Sequence, residues 1–546
     1  MQIWNRSVNF AVGSIVKTIY RHISIESMRQ EVYYPLGQQS FRELRSTGCV
    51  YVDKTRYIER LIAPGNQYVF LARPRRFGKS LFLSTLECFF RGERDLFKGL
   101  YADTMEWDWE EYPVLRLDLN PERYSEEGRL DDILGDLFDE WEEEFGVTAN
   151  SDNLPTRFRR IIKTAHEKTG KKVVILVDEY DKPLVGNLNR SGLFGHYRDR
   201  LAGIYGNFKS SADHIRLVFM TGVSRFSKLS VFSGLNNISD ITFEDEYADI
   251  CGITEREMLD NFRQGIELLA EKYHIGFDEA CGELKKNYDG YRFAPDGSDI
   301  YNPWSLLSCL KKKSIANYWN ETGNPTIIVE SLKRLNVNLR DYLSKECRPD
   351  DLWGLDLENP QPLPLMYQTG YLTIKRYDLR KNRCLLGVPN EEVMEGLMDN
   401  LLPTYARMNG ISAGMYVLEL VDDLEEGKAD MFMKRLQAFL AGIPYDMHVD
   451  SENNFHNAVY VLLTLIGLKV RTEVHTSDGS IDLLIATDGY VYIIELKYDG
   501  TPEQALAQIE RKQYALPYST GTRKVIRIGA NFSSEKRRID SWLINA

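Results

Sequence analysis

The sequence predicts an α/β protein of several domains: a parallel sheet with crossover helices, a helical connector, and a small C-terminal α/β domain. Three observations predict this fold class. Short apolar runs rich in β-branched and aromatic residues alternate with helical patterns over residues 32–249. Amphipathic helical segments and aromatic clusters replace that alternation over 250–441. Two β-rich runs joined by Asp-Gly then lie within 442–546, and a length of 546 residues accommodates these units.

Composition excludes several classes of protein. The chain is 43% hydrophobic and 27% charged, which is the balance of a globular protein. Its net charge of −12 argues against a surface coated with phosphate-binding residues but leaves room for local basic patches. The 7 cysteines form no CxxC pair and are odd in number, so a disulfide framework is excluded and a reducing cytoplasm is expected. No apolar run approaches the roughly 18 residues that span a bilayer, so no membrane association is expected. Residues 1–31 form an N-terminal extension without signal-peptide features, in which Met28 is an alternative start.

Four apolar runs predict the strands of the parallel sheet in the first domain. They are Tyr68–Ala72, Val114–Leu119, Val173–Val177 and Arg216–Met220. A helical pattern from Leu81 to Phe90 follows the first run. The stretch from Glu122 to Glu144 holds 11 acidic residues, and a solvated helix face is the favoured interpretation of it.

The segment between the first strand and its helix has the composition of a phosphate-binding loop. In such a loop, backbone N–H groups surround the phosphates of a nucleotide, a lysine adds charge, and a hydroxyl binds Mg²⁺. Gly78, Lys79 and Ser80 occupy these positions. Arg73 stands where the first glycine of the GxxxxGK[ST] pattern is expected, so the sequence matches only the second half of that pattern.

Polar side chains follow two further strands of the predicted sheet. Asp178 is expected to hold the hydration shell of Mg²⁺, and Glu179 to polarise an attacking water. After the fourth strand, Thr221 is a candidate sensor of the γ-phosphate, and Arg225 is a candidate for neutralising its charge. The alternatives are a strand that ends in an ordinary charged turn, and ordinary loop contacts.

These segments together resemble the AAA-ATPase-like family of bacterial proteins. The resemblance rests on Tyr51–Thr55, Arg73–Ser80, Asp178–Asp181 and Thr221–Phe226, and it covers most of residues 32–249. The family has the same arginine-rich, glycine-poor loop, so the absence of the first glycine is a family trait. The resemblance implies a P-loop NTPase fold that binds ATP together with Mg²⁺ or Mn²⁺.

An Asp-Gly pair predicts a β-hairpin that brings two carboxylates face to face. A two-residue loop at Asp488-Gly489 places Asp482 opposite Glu495, with Cβ atoms about 5 Å apart. Two carboxylates that face each other among apolar neighbours repel, and a bound cation would remove that repulsion. A divalent cation, Mg²⁺ or Mn²⁺, is therefore expected between them. Lys497 lies on the same strand face and is expected to stabilise an attacking hydroxide. The alternative is a solvated strand face.

The spacing of Asp482 and Glu495-Leu-Lys497 resembles the PD-(D/E)xK nuclease superfamily. The resemblance implies a restriction-endonuclease-like fold in which Glu452, at the start of the preceding helix, completes the metal site. It also implies that Gln508 and Tyr514, in the helix after the strand, lie near the substrate. Surface positions on that helix are the alternative for both residues.

The predicted sites indicate a protein that binds and hydrolyses ATP and cleaves nucleic acid phosphodiesters under nucleotide control. The nuclease resemblance implies a nucleic acid partner, with DNA favoured. Local charge supports this partner, because residues 497–546 carry 9 basic and 5 acidic residues in an otherwise acidic chain. Lys536–Arg538 is a candidate phosphate contact, with a solvated helix face as the alternative. A homo-oligomer is left open. The alternative function is a nucleotide-dependent switch or DNA-binding protein whose nuclease-like module does not cut.

Overall fold

A computed structural model describes most of the chain from residue 32 onward. The described ranges are 32–120, 124–148, 151–187, 190–225, 238–319, 328–329, 332, 337–352, 361–406, 410–442, 452–469, 483–533, 535–536 and 538–545. Among the predicted site residues, Asp482 lies outside these ranges, and only the backbone of Glu452 is described.

The first sheet consists of five parallel strands, which confirms the predicted parallel sheet. They are β1 (Tyr68–Ala72), β2 (Val114–Asp118), β3 (Val173–Asp178), β4 (Ile215–Gly222) and β5 (Ser239–Asp240). Their order across the sheet is β2-β3-β4-β1-β5. Since β4 lies between β1 and β3, the register aligns Ala72 with Gly222 and Val177 with Met220. The carboxyl ends of β1, β3 and β4 therefore meet at one edge. The sequence does not predict β5, because it is only a short polar pair.

Helices connect the strands of this sheet. They are α1 (Phe41–Ser46), α2 (Arg56–Leu61), α3 (Lys79–Phe90), α4 (Arg129–Phe145), α5 (Leu154–Thr169), α6 (Lys182–Val185) and α7 (Ser191–Ser210). The predicted helix after β1 begins at Lys79 rather than Leu81, so the lysine and serine of the loop belong to its first turn. From Arg129 onward the acidic stretch belongs to α4, which buries Leu130, Leu134 and Phe138 on one side. Most of its carboxylates lie on the exposed side, which confirms the solvated helix face.

The middle region contains the predicted helices together with two small sheets. The helices are α8 (Glu255–Tyr273), α9 (Phe277–Tyr288), α10 (Pro303–Lys312), α11 (Leu339–Leu343), α12 (Pro362–Gln368), α13 (Glu391–Ala406), α14 (Gly410–Glu425) and α15 (Ala429–Gly442). The strands are β6 (Ile253–Thr254), β7 (Ile300–Tyr301), β8 (Glu346–Cys347), β9 (Thr373–Asp378) and β10 (Arg383–Gly387). Strands β6 and β7 pair antiparallel, and the other three form an antiparallel sheet in the order β8-β10-β9. The purely helical interpretation of this region is therefore incomplete. Short, charged strands and a register shift between Leu385 and Leu386 weaken the strand pattern in the sequence.

The C-terminal region forms a four-stranded mixed sheet with two helices. Its elements are α16 (Glu452–Lys469), β11 (Leu483–Ala486), β12 (Tyr490–Tyr498), α17 (Pro502–Arg511), β13 (Lys524–Ser533) and β14 (Arg538–Asn545), and the strands follow this order across the sheet. Leu483 pairs with Ile494, and Ala486 with Val491, which is the register that a turn at Asp488-Gly489 predicts. Strand β14 was not expected from the sequence. The helix suggested around Lys536–Arg538 is wrong, because Lys536 lies in a turn and Arg538 begins this edge strand.

Both faces of this sheet are covered, as the apolar runs predict. Tyr492 and Ile494 belong to the large core that the sheet shares with the helices of the middle region. Val491 and Ile493 belong to a separate cluster with Ile509 of α17. Because side chains alternate along a strand, Glu495 and Lys497 lie on the face that α17 covers. In the described part of the chain, no helix combines the length and the apolar character needed to cross a bilayer.

Candidate functional site

The predicted phosphate-binding loop joins β1 to the N-terminus of α3. Gly78 directly precedes the helix with φ of 96°, a left-handed conformation that glycine adopts without a steric penalty. Lys79 and Ser80 form the first turn of the helix. Backbone N–H groups without helical partners and the positive end of the helix dipole meet at this position, so it attracts an anion such as phosphate.

Arg73, at the position of the absent glycine, anchors the start of the loop. It is 1% exposed, and its guanidinium donates hydrogen bonds to the backbone oxygens of Ala72 at 2.9 Å, Thr242 at 2.7 Å and Tyr247 at 2.9 Å. The guanidinium also lies 4.7 Å from the centre of the Phe293 ring. Burial lowers the pKa of Arg73. Sequence reasoning identified the missing glycine but not this structural role, which depends on residues distant in the chain.

Lys79 lies in direct contact with Glu179, the acid that follows Asp178 after β3. The lysine is 4% exposed, and its Nζ donates to the backbone oxygens of Arg73 at 3.0 Å and Pro74 at 3.2 Å. The same atom lies 3.1 Å from Oε1 of Glu179. Glu179 has a positive φ of 52°, and such strained backbone concentrates at functional sites. The structure thus brings together Lys79 and Glu179, which the sequence predicted from separate segments.

Asp178 is fully buried at the end of β3. Thr221 donates a hydrogen bond from Oγ1 to Oδ1 of Asp178 at 2.7 Å, whereas Oδ2 accepts no hydrogen bond from the described residues. Burial raises the pKa of Asp178, and the hydroxyls of Ser80 and Thr221 oppose that increase. A buried carboxylate oxygen without a donor, close to a serine hydroxyl, suits the hydration shell of Mg²⁺.

Arg225 makes contacts that differ from the expected one. Its guanidinium pairs with Asp240 of β5, and its backbone N–H donates to Oε1 of Gln368, in α12, at 2.9 Å. The residue therefore links the end of β4 to the middle region. No pattern in the sequence indicates this role of Gln368.

Asp181 is a further carboxylate that sequence reasoning did not assign. It is 1% exposed and accepts hydrogen bonds from the backbone N–H groups of Ser224 at 2.7 Å and Val223 at 3.2 Å. Burial, followed by the charge of Glu179, raises the pKa of Asp181 to about 6. Its place in the run from Asp178 to Asp181 was the signal that could have identified it. The carboxylate fixes the segment that follows Thr221.

Glu495, Lys497 and Gln508 are in mutual contact at the carboxyl end of β12. Glu495 is 3% exposed, and Lys497 Nζ lies 3.3 Å from its Oε1. Lys497 Nζ also donates to Oε1 of Gln508 at 2.6 Å, and Nε2 of Gln508 donates to Oε1 of Glu495. These charge-assisted hydrogen bonds close a triangle that fixes the orientation of all three side chains.

The other residues predicted for this site are only partly described. Leu483 opposite Ile494 is the first described pair of the hairpin, and Asp482 lies outside the described residues. Glu452 begins α16 at the predicted helix start. Within the described ranges, no three His, Cys, Asp or Glu side chains cluster as ligands. Glu495 is therefore the member of the predicted ligand set whose side chain is described.

Tyr514 lies outside the helix that the sequence predicted for it. Helix α17 ends at Arg511, and the Tyr514 ring packs against the apolar cluster that contains Leu484 and Ile493. Within the described part of the chain, no hydrogen bond joins its hydroxyl to Glu495. Gln508, in contrast, contacts both charged residues of β12.

Comparisons with known proteins match two parts of the chain to protein families. A family model described as a predicted AAA-ATPase matches residues 35–232, and the PD-(D/E)XK nuclease superfamily model matches residues 450–542. A protein of Azotobacter chroococcum mcd 1, described as an uncharacterized protein in the vnfD 5' region, is 34% identical over 528 residues. That alignment covers 94% of this chain and 98% of the relative. The chain belongs to the AAA-ATPase-like family. This AAA-ATPase-like protein carries its nuclease-superfamily domain at the C-terminus, and such a domain implies a nucleic acid substrate.

The residues of this AAA-ATPase-like protein fit the groups that its two domains use. Domains of these families use a nucleotide and divalent metal ions. The donor-free oxygen of Asp178 and the hydroxyl of Ser80 offer hard oxygen ligands at the loop. The carboxylate of Glu495 offers the same chemistry at the C-terminal site, beside a lysine that supplies positive charge.

Proposed function

We propose that this protein is a nucleotide-controlled nuclease that binds and hydrolyses ATP at Lys79 and cleaves nucleic acid, with DNA favoured, at Glu495. The observation that carries the proposal is the contact among Glu495, Lys497 and Gln508. Burying the Glu495 carboxylate beneath a helix, beside a lysine whose side chain is 28% exposed, costs desolvation free energy, and an apolar residue of similar volume would fill the space at lower cost. Chemistry is therefore the better explanation of this trio than packing.

The C-terminal site provides the groups that phosphodiester hydrolysis requires. Mg²⁺ or Mn²⁺, when bound by Glu495 and Asp482 with Glu452 completing the set, would polarise the phosphate and acidify a bound water. Lys497 would donate to the negative charge that develops on the phosphate or on the attacking hydroxide. Gln508 positions both charged residues, because its amide bonds Oε1 of Glu495 and its oxygen accepts from Lys497.

The nucleotide site is proposed at the edge where β1, β3 and β4 end. The phosphates would lie against the N-terminus of α3, with Lys79 adding charge and with Ser80 and Asp178 holding hydrated Mg²⁺. Glu179 would orient the attacking water. Thr221 is proposed as the sensor of the γ-phosphate, because it donates to Asp178 at 2.7 Å.

Contacts between the loop and the middle region support control of the nuclease by ATP. The Phe77 ring, within the loop, packs edge-to-face on Tyr291 at 4.8 Å and on Phe293 at 5.2 Å between ring centres. Arg225, whose guanidinium pairs with Asp240, donates its backbone N–H to Gln368. A movement of the loop on ATP binding would therefore be transmitted to the connector. We place the ATPase-like domain at 32–249, the connector at 250–441 and the nuclease-like domain at 442–546.

A plasmid-nicking assay with Mg²⁺ or Mn²⁺ tests cleavage. Wild type is expected to nick, whereas Glu495→Gln, Lys497→Ala and Asp482→Ala are expected to lose activity by at least about a hundredfold, because each removes a group that acts on the phosphate. Lys512→Ala, at the exposed end of α17, is the matched control and should nick normally. If the three site variants nick as fast as wild type, the assignment of the nuclease site to these residues is refuted.

ATP turnover and its effect on nicking test the second half of the proposal. Lys79→Ala is expected to abolish ATP turnover, and the addition of ATP is expected to change the nicking rate of wild type but not of this variant. Wild type that binds DNA without nicking it, at any concentration of metal or ATP, would instead support the alternative of a nucleotide-dependent DNA-binding switch.

A further inference from the structure

The β9–β10 hairpin carries a dense group of cations on the surface of the middle region. Residues 376–383, here named the basic hairpin, contain Arg376, Arg380, Lys381 and Arg383, all of them exposed. Leu379, at the turn, is 74% exposed. An open pocket with a volume of about 600 Å³ lies against this group, and Glu346 and Asp378 also line it. An acidic chain of net charge −12 thus presents a local basic surface.

Strand pairing directs these cations outward. Arg376 pairs with Leu385 and Asp378 with Arg383, so their side chains share one face of the ribbon. Cys384 pairs with Tyr377 on the opposite face, where it is buried in the core. The exposed face is therefore the charged one, and the core holds the ribbon from behind.

Two of the arginines have no carboxylate partner among the described residues. Arg383 pairs with Glu346 at 2.7 Å, and Lys381 lies 3.9 Å from Asp378. Asp378 also accepts the backbone N–H groups of residues 380 and 381 at 3.0 and 3.1 Å, so its charge is used to shape the turn. Arg376 and Arg380 are therefore available to bind an anion supplied by a ligand.

We propose that the basic hairpin is a contact surface for the sugar–phosphate backbone of duplex DNA. The inference rests on the proposed function, and it assigns to the connector the task of holding the substrate. The short strand β8 pairs only with Cys384 and Leu385 of β10, so the hairpin is two-stranded beyond them, toward its turn. A two-stranded β-ribbon is narrow enough to enter the major groove, and arginines on its face and turn then reach the phosphates on either side. Contacts of this kind position a duplex without reading its sequence.

The proposal is tested by the binding of a short fluorescein-labelled DNA duplex to the full-length protein. Binding is measured by fluorescence anisotropy in EDTA at a series of KCl concentrations. The Arg376→Ala/Arg380→Ala variant is expected to bind roughly tenfold to a hundredfold more weakly at 0.1 M salt. The slope of log K against log salt is expected to decrease in magnitude by about 1.8, because each lost phosphate contact accounts for about 0.9. Arg376→Lys/Arg380→Lys should restore most of the slope, because lysine also neutralises phosphate.

The matched control is Arg159→Ala/Arg160→Ala, which removes two exposed arginines from α5. The proposal is overturned if this control weakens binding as much as the hairpin variant, if the hairpin variant retains the wild-type slope, or if wild type binds no duplex. Stronger binding of the same strand in single-stranded form, with equal dependence on the two arginines, would also overturn it. Nicking is measured separately. If DNA binding depends on the hairpin but the protein does not nick DNA, the proposed nuclease activity is refuted and the proposed DNA contact at the basic hairpin stands.

Discussion

Replacing Arg73 by glycine completes the glycine spacing of a phosphate-binding loop, yet the structure predicts that the change destabilises the protein. The guanidinium donates to the backbone oxygens of Thr242 and Tyr247, about 170 residues further along the chain. It also contacts the Phe293 ring. Removal of the side chain leaves these oxygens without a donor in a buried region, and it opens space next to Pro74.

The expected loss follows from these contacts. Hydrogen bonds to a charged donor contribute about 1.5–3 kcal/mol each, but part of that gain offsets the desolvation of a buried guanidinium. The cation–π contact adds about 1 kcal/mol, and the conformational freedom of glycine costs about 0.5–1 kcal/mol. A net loss of about 4 kcal/mol is expected. At about 2–4 °C for each kcal/mol in a domain of this size, Tm should fall by roughly 8–16 °C.

Thermal and urea unfolding of the full-length protein provide the measurement, with ATP affinity measured in parallel. Arg75→Gly is the matched control, because this exposed neighbour adds the same glycine freedom without removing a buried donor. Its expected cost is below about 1 kcal/mol. A fully stable Arg73→Gly variant with tighter ATP binding would refute the reasoning and show that the arginine only impairs an ordinary loop.

Three further predictions concern other groups. Thr221→Val removes the donor to Asp178 and should lower ATP turnover in a phosphate-release assay about tenfold to a hundredfold, whereas Thr221→Ser should remain active. Gln508→Leu should lower nicking about tenfold or more but leave DNA affinity in EDTA unchanged, because Lys497 loses its acceptor; a loss of affinity instead would contradict a positioning role. Burial raises the pKa of Glu392 from 4.5 to about 7, so ionisation progressively destabilises wild type between these pH values. Glu392→Gln should therefore match wild type in urea unfolding near pH 4 and exceed it by about 3 kcal/mol at pH 8, and an equal difference at both pH values would contradict this cause.

Elements whose signals are local in the chain were predictable. Strand β1 has the predicted bounds, Tyr68–Ala72, because five consecutive apolar residues are buried on both sides of the sheet. The hairpin register was predictable because a two-residue Asp-Gly turn fixes which residues lie opposite each other. The assignment of Lys79 and Glu179 to one site was also possible from the sequence, since the carboxyl ends of parallel strands meet at one edge, but their ion pair was not predicted.

Features that depend on distant partners could not be predicted. The role of Arg73 is set by backbone oxygens near residue 245, and a pattern within the loop carries no information about them. Strand β9 contains Lys375 and Arg376, and these charges conceal a strand of which only the first two residues, Thr373 and Ile374, are buried. Tyr514 was assigned to a helix that ends at Arg511, because the sequence gives helix ends less clearly than helix interiors.

The inner face of the C-terminal sheet has a consequence for dissecting the protein. The Tyr492 hydroxyl donates to the backbone oxygen of Leu424, the Trp542 indole donates to Asp430, and the Tyr490 ring lies against Gly427. All three partners precede residue 450, where the nuclease-superfamily match begins. A fragment cut at that boundary would expose the back of its sheet to water and aggregate, so any transplant of this module into another protein must include α14 and α15.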